Sequence, residues 1–234
     1  MIGPIPREAR EGLADIVPVI IAAVPIGLLF GALAAAKGLS ALEVGLMSLL
    51  VFAGGSQFAA VELWTQPLSI ATLAFSALLI NARMVLMGAS LAPKLSGFSW
   101  TQRILGFHLL TDEAWALAER RAGSRPVTPA YWFGLCCLLP LAWVGTTVAG
   151  ALAGSLMGDP SRLGADFAFT AMFIGLVAGF WKGRVTAVTV AAAGAASAVV
   201  YVLAGPPWHV AAGAVAGILG AYLAAPADAG QAAA

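Results

Sequence analysis

The sequence predicts an all-α fold: a polytopic integral membrane bundle. Three observations predict it. Of 234 residues, 61% are hydrophobic and only 10% are charged, whereas soluble domains carry roughly 25% charged residues. The apolar residues fall into consecutive runs near bilayer length, and no polar segment is left over to build a water-facing surface. Small residues recur at four-residue spacing (Gly27/Gly31, Gly150/Gly154/Gly158, Gly175/Gly179 and Gly213/Gly217), which lets helix backbones approach closely in lipid. Packing within the chain accounts for most of these stripes, and one or two could dock a separate subunit.

The apolar runs are 15–36, 41–64, 68–92, 104–118, 130–156, 165–180, 185–204 and 207–225. A crossing needs ~20 residues. The first run carries Pro18, Pro25, Gly27 and Gly31. Its prolines free carbonyls and kink a helix, which fits either cavity lining or packing. The second run is broken in its middle by Gly54-Gly55-Ser56. The fourth is too short and too polar, with Asp112 and Glu113, for an ordinary span. The expectation is therefore about six full spans plus two broken or re-entrant segments, with seven to eight spans if both cross. Trp64, Tyr131, Trp132, Trp181 and Trp208 lie at predicted ends, where amphipathic rings favour the headgroup level.

Positive charge sets the orientation. With two re-entrant segments and an inside N-terminus, nine basic residues are cytoplasmic and two, Lys37 and Arg162, are outside. If both segments span, the split is seven to four. The expected organisation is a cytoplasmic segment at 1–14, one transmembrane transporter domain at 15–225 and a disordered tail at 226–234.

Composition also excludes. A net charge of +1 gives no electrostatic reason for nucleic-acid binding. Cys136 and Cys137 are adjacent in an apolar run, so no disulfide framework exists. With His108 and His209 as the two histidines, there is no metal-ligand spacing, and no P-loop or nucleophile elbow is present. No cofactor, metal or enzymatic activity is expected, and an ATP-driven pump is not encoded in this chain alone.

Four constellations remain. Ala53-Gly54-Gly55-Ser56-Gln57-Phe58 reads as a broken helix in which Ser56 caps and Gln57 starts the second half. A half-helix N-terminus at membrane depth suits a substrate carboxylate. A glycine packing notch in a continuous helix is the alternative. Asn81 and Arg83 lie two apart, so a regular helix turns them about 200° from each other; either the helix is distorted here or the two serve different surfaces. Arg83 lies ten residues before Pro93, about 15 Å of helix, too far to snorkel, so an interior partner is expected. Asn81 suits an interhelical hydrogen bond or substrate contact. Thr111 can cap a helix with Asp112 and Glu113 in its first turn and Arg120 and Arg121 in its last, which complements the helix dipole. The preceding apolar residues could instead carry Asp112 into the membrane to meet Arg83, a substrate ammonium or a proton. Finally, Pro25, Gly27 and Phe30, with Phe52 and Phe58, are candidates for an apolar pocket.

The ordered set Pro25-Ile26-Gly27 with Phe30-Gly31, Ala53 to Phe58, Asn81-Ala82-Arg83, Gly88 to Pro93 and Thr111-Asp112-Glu113 resembles the AzlC family of branched-chain amino acid permeases. The resemblance covers roughly residues 8–120. Met84 and Met87 depart from the histidine and aromatic residue that the pattern often carries. The resemblance implies efflux of valine, leucine or isoleucine, with methionine a further candidate, across a bacterial inner membrane. It implies drive by an ion gradient and a small four-span AzlD-type partner subunit. In that scheme Ser56, Gln57 and Arg83 hold the substrate carboxylate, and Asp112 faces the ammonium or carries the proton. A passive facilitator for small solutes and a structural subunit of a transport complex are the rival readings.

Overall fold

The structure is a computed structural model. It describes residues 5–64, 67–157, 167, 170, 174, 177–178, 181, 183–205 and 208–225. Gly158, Arg162, Asp166, Gly175, Gly179, Lys182, the tail 226–234 and most of the run 165–180 lie outside the described residues. Every regular element among the described residues is helical. Arg7–Ala36, Ile70–Leu95, Pro129–Gly154 and Arg184–Ala204 are long and apolar enough to cross a membrane, and Ala41–Leu50 and Trp208–Ala224 are shorter apolar helices.

The chain divides into two compact units. The first is Met1–Gln66 with Asn81–Asp166, and the second is Pro67–Ile80 with Phe167–Ala234. The first holds α1 (Arg7–Ala36), α2 (Ala41–Leu50), α3 (Gly54–Glu62), the second half of α4 (Ile70–Leu91), a 3-10 turn (Ala92–Leu95), α5 (Trp100–His108), α6 (Asp112–Ala122), α7 (Pro129–Cys136) and α8 (Leu138–Met157). Local chemistry sets these boundaries. Gly38, at φ +91°, ends α1 in a left-handed turn. Ser40 with Glu43 and Ser99 with Gln102 form capping boxes that start α2 and α5. Thr111 accepts from the Ala114 amide and starts α6.

The structure departs from the predicted runs in three places. The run 104–118 is two helices, because the Thr111 cap restarts the chain after α5. The run 130–156 has a junction at Cys137. Pro140 has no amide to donate to the Cys136 carbonyl, so the ladder is interrupted there. Tyr131 and Trp132, near the start of the Pro129–Gly154 span, are fully buried and so do not face headgroups. Tyr131 donates to Asp15 (2.7 Å), and the Trp132 indole packs on Gly106. The face of α7 that carries them is turned into the protein.

In the first unit α1 packs along α8 at backbone contact. A Cβ on Gly31 would stand 1.9 Å from the Thr147 carbonyl, and one on Gly150 would stand 2.0 Å from the Leu28 carbonyl. The Gly27/Gly31 and Gly150/Gly154 stripes are thus spent on each other, as close-packed helices in lipid require. A core of Ile16, Phe52, Leu91, Leu110, Trp132 and Leu135, among others, fills the space between α1, α4, α6 and α7.

The second unit holds the first half of α4, α9 (Arg184–Ala204) and α10 (Trp208–Ala224). Gly213 packs on Ser197, and Gly217 and Gly220 pack on Ala193 and Ala192. Ser197 donates to the His209 carbonyl (2.9 Å), and the Phe75 ring lies 5.2 Å from that of Trp208. No described residue of α9 is buried.

Candidate substrate site

The break between α2 and α3 positions the site. Phe52 has φ +40°, the one non-glycine residue in the left-handed region among the described residues. This conformation is costly for a bulky residue. It is held by burial of the Phe52 ring in the core of the first unit. Ala53 is the N-cap of α3, with no side-chain cap bond. The expected cap therefore moves: Ser56 lies in the first turn and donates from Oγ to the Ala53 carbonyl (3.0 Å). The cause is the left-handed Phe52, which turns the chain before the glycines and lets Gly54 and Gly55 enter the helix. The amides of Gly54, Gly55 and Ser56 precede the first intrahelical bond, Gln57 N–H to Ala53 O at 3.0 Å.

Asn81 on α4 reaches this turn. Its Nδ2 donates to Ser56 Oγ (3.2 Å), while its Oδ1 is buried with no hydrogen-bond partner among the described residues. Arg83 faces elsewhere. Its Nη2 pairs with Asp112 Oδ2 at 2.9 Å, and the two side chains are 29% and 19% exposed. Asp112 is the first residue of α6, so its carboxylate also lies at the positive end of a helix. Arg83 thus has its interior partner, on a different surface from Asn81. Glu113 is half-buried with no ion pair among the described residues, and His108 is exposed.

Gln57 is fully buried and committed. Its Nε2 donates to Ser48 Oγ (3.1 Å) and its Oε1 accepts from Trp143 Nε1 (3.0 Å). Ser48 in turn shares a bond with Thr147 (2.9 Å). The carboxamide therefore ties α2, α3 and α8 together, with both of its polar atoms engaged. Phe30, also fully buried, meets Phe58 edge-on at 5.2 Å and stacks on Trp143 at 6.2 Å. The Trp143 ring lies 3.4 Å from where a Cβ on Gly54 would stand. Of the first-span candidates, Gly27 packs on Thr146 and Pro25 is exposed. Ser48, Trp143 and Thr147 escaped the sequence reading. Their signal was faint: single polar groups inside apolar runs, and a tryptophan away from any predicted end. Among the described residues no group of His, Cys, Asp or Glu could hold a metal ion.

The arrangement offers backbone donors and a side-chain acceptor at a helix break, an aromatic wall behind it, and a salt bridge two residues further along α4. The model of the AzlC protein family matches residues 18–157, which include all of these groups. This chain belongs to the AzlC family. A membrane protein described as uncharacterized, from Archaeoglobus fulgidus, is 36% identical over 75% of this chain and 77% of its own length. The inner membrane protein YgaZ of Escherichia coli is 31% identical over 94% and 93%. The branched-chain amino acid transport protein AzlC of Bacillus subtilis is 26% identical over 70% and 65%. No solved structure matches. The chain is accordingly a multi-helix membrane protein of a transport family.

Proposed function

We propose that this AzlC-family chain is the large subunit of a secondary exporter of branched-chain amino acids in the bacterial cytoplasmic membrane. It would work with a small four-span partner, be driven by an ion gradient and keep its N-terminus cytoplasmic. The name of the Bacillus subtilis relative supports the substrate class. The observation that carries the reading is the Arg83–Asp112 pair at 2.9 Å. An amino acid is a zwitterion. Its carboxylate can replace Asp112 on Arg83 while its ammonium replaces Arg83 on Asp112, so neither partly buried charge is left unpaired. The open amides of α3 and the free Asn81 Oδ1 offer the same two charges a second donor set and acceptor. Phe30, Phe52 and Phe58 form the apolar surroundings for a branched side chain.

The test uses proteoliposomes that contain this chain and its partner. Arg83→Ala or Asp112→Asn is expected to lower valine counterflow at least ~5-fold, since the pair is partly exposed and lies between the ~1 kcal/mol of a surface pair and the ~2–5 kcal/mol of a truncated buried one. Membrane insertion is expected to be unchanged. Normal counterflow in both variants would sink the assignment. Wild-type flux that ignores an imposed pH gradient would favour a passive facilitator.

A further inference from the structure

One cavity plays no part in the site above. It lies in the first unit, between the first turns of α1 and the end of α6, with a volume of about 530 Å³. That is within the range of ~300–1,000 Å³ common for small-molecule sites. Arg7, Arg120, Arg121 and Arg125 line it, against two carboxylates, Glu11 and Asp15.

Both acids are occupied. Asp15 accepts from the Tyr131 hydroxyl at 2.7 Å. Glu11 is shared by Arg7 (3.2 Å), Arg121 (3.0 Å) and Arg125 (3.6 Å). Arg121 is the anchored member. It is 10% exposed, bonds the Pro126 carbonyl as well, and lies 3.9 Å over the Tyr131 ring. Arg120 is exposed and has no ion pair among the described residues, and Arg125 is 63% exposed. Glu8, at 4.0 Å from Arg121, reduces the positive excess without removing it. An anion bearing several acceptor oxygens would complete this set; guanidinium forks match carboxylate and phosphate, and phosphate carries more oxygens to share among several forks.

The second observation concerns α1. Ala14 lines the cavity and is exposed. Val17, Ile21, Val24 and Leu28 follow it at alternating steps of three and four residues, and all are exposed. Such spacing places them on one face of the helix. Arg7 and Arg10 begin the same stripe on the other side of Ala14. A charged cavity thus opens directly onto an apolar strip more than two helical turns long. A free phosphate would use only the first half of this surface. A phospholipid would use both.

We infer that this cavity binds the phosphate headgroup of an anionic phospholipid, whose acyl chain lies along the α1 stripe from Val17 to Leu28. The test is native mass spectrometry of the full-length protein titrated with phosphatidylglycerol, alongside the double variant R120Q/R125Q. Both arginines are exposed and neither anchors the network, so the variant is expected to fold as the wild type does. Each basic side chain near an anionic surface contributes about fivefold, so phosphatidylglycerol affinity is expected to fall roughly twenty- to thirtyfold. Phosphatidylcholine retention should not change between the two proteins. A photoactivatable phosphatidylglycerol with its reactive group in the acyl chain should label residues 17–28 in the wild type and lose that labelling in the variant. Equal phosphatidylglycerol affinity in the two proteins would overturn the inference. So would displacement of the lipid by equimolar inorganic phosphate, or labelling of other segments only.

Discussion

In the first unit α1 meets α8 through glycines, and other helices are joined through polar side chains. Gln57 alone links Ser48 of α2 to Trp143 of α8, Asn81 of α4 links to Ser56 of α3, and Arg83 links to Asp112 of α6. In the second, α9 meets α10 through small residues (Gly213, Gly217 and Gly220 against Ser197, Ala193 and Ala192), with Ser197 bonded to the His209 carbonyl and the Tyr201 ring edge-on to that of His209 at 5.3 Å. Both solutions suit lipid, where apolar surface gives no driving force between helices and contact must come from close backbones or hydrogen bonds. They differ in what they fix. A network of directional bonds with fully buried members holds side chains in one arrangement. A ridge of glycine and alanine fixes only the distance between two helix axes. The candidate site is built where side-chain positions are specified.

Four substitutions probe that contrast. The largest effect is expected from Gly31→Ala. Its Cβ would meet the Thr147 carbonyl at 1.9 Å and the Ala151 nitrogen at 2.5 Å, both backbone atoms. A loss of about 3 kcal/mol or more is expected, the upper range for overpacking. The paired control is Gly217→Ala, where the nearest atom is the Ala193 Cβ at 3.3 Å and the expected cost is below about 1 kcal/mol. Thermal unfolding in detergent, read by size-exclusion fluorescence, compares them; equal losses would remove the distinction between the units.

Gln57→Leu comes next. It strands the Trp143 N–H, while Ser48 keeps its bond to Thr147, at about 1–3 kcal/mol for the one unsatisfied group. Because α3 is held by this residue, valine counterflow should fall along with stability. Flux at the wild-type level in a destabilised protein would show that the network serves folding alone. The smallest effect is expected from Ser197→Ala, about 0.6 kcal/mol, the average for an interhelical hydrogen bond in a membrane protein. A cost above that of Gln57→Leu would invert the ranking.

Much of this was legible in the sequence, for identifiable reasons. Charge deficit and run length dictate a membrane bundle, and two adjacent glycines before a serine announce the break in the run 41–64. Arg83 needed an interior partner because helix geometry put it too far from the membrane edge, and Asp112 is that partner. The start of α3 was not legible, because it depends on a phenylalanine held left-handed by its packing. Nothing in local propensity signals that. Ser48 and Thr147 are 99 residues apart and look like ordinary small polar residues in apolar runs. Only folding makes them neighbours. Tyr131 and Trp132 misled because an aromatic near a span end looks the same whether its helix face meets lipid headgroups or α1.

The Arg83–Asp112 pair has a consequence for electrical behaviour. A membrane potential acts on net charge, with about 2.3 kcal/mol for each elementary charge moved through 100 mV. The closed pair is a cation and an anion 2.9 Å apart, so these two residues add no net charge to whatever part of the protein moves. A zwitterion inserted between them adds none either. If the pair closes whenever the substrate leaves, the loaded and empty carriers reorient at rates that voltage does not set through this site. Any current carried during the proposed ion-coupled efflux then counts the coupling ion alone.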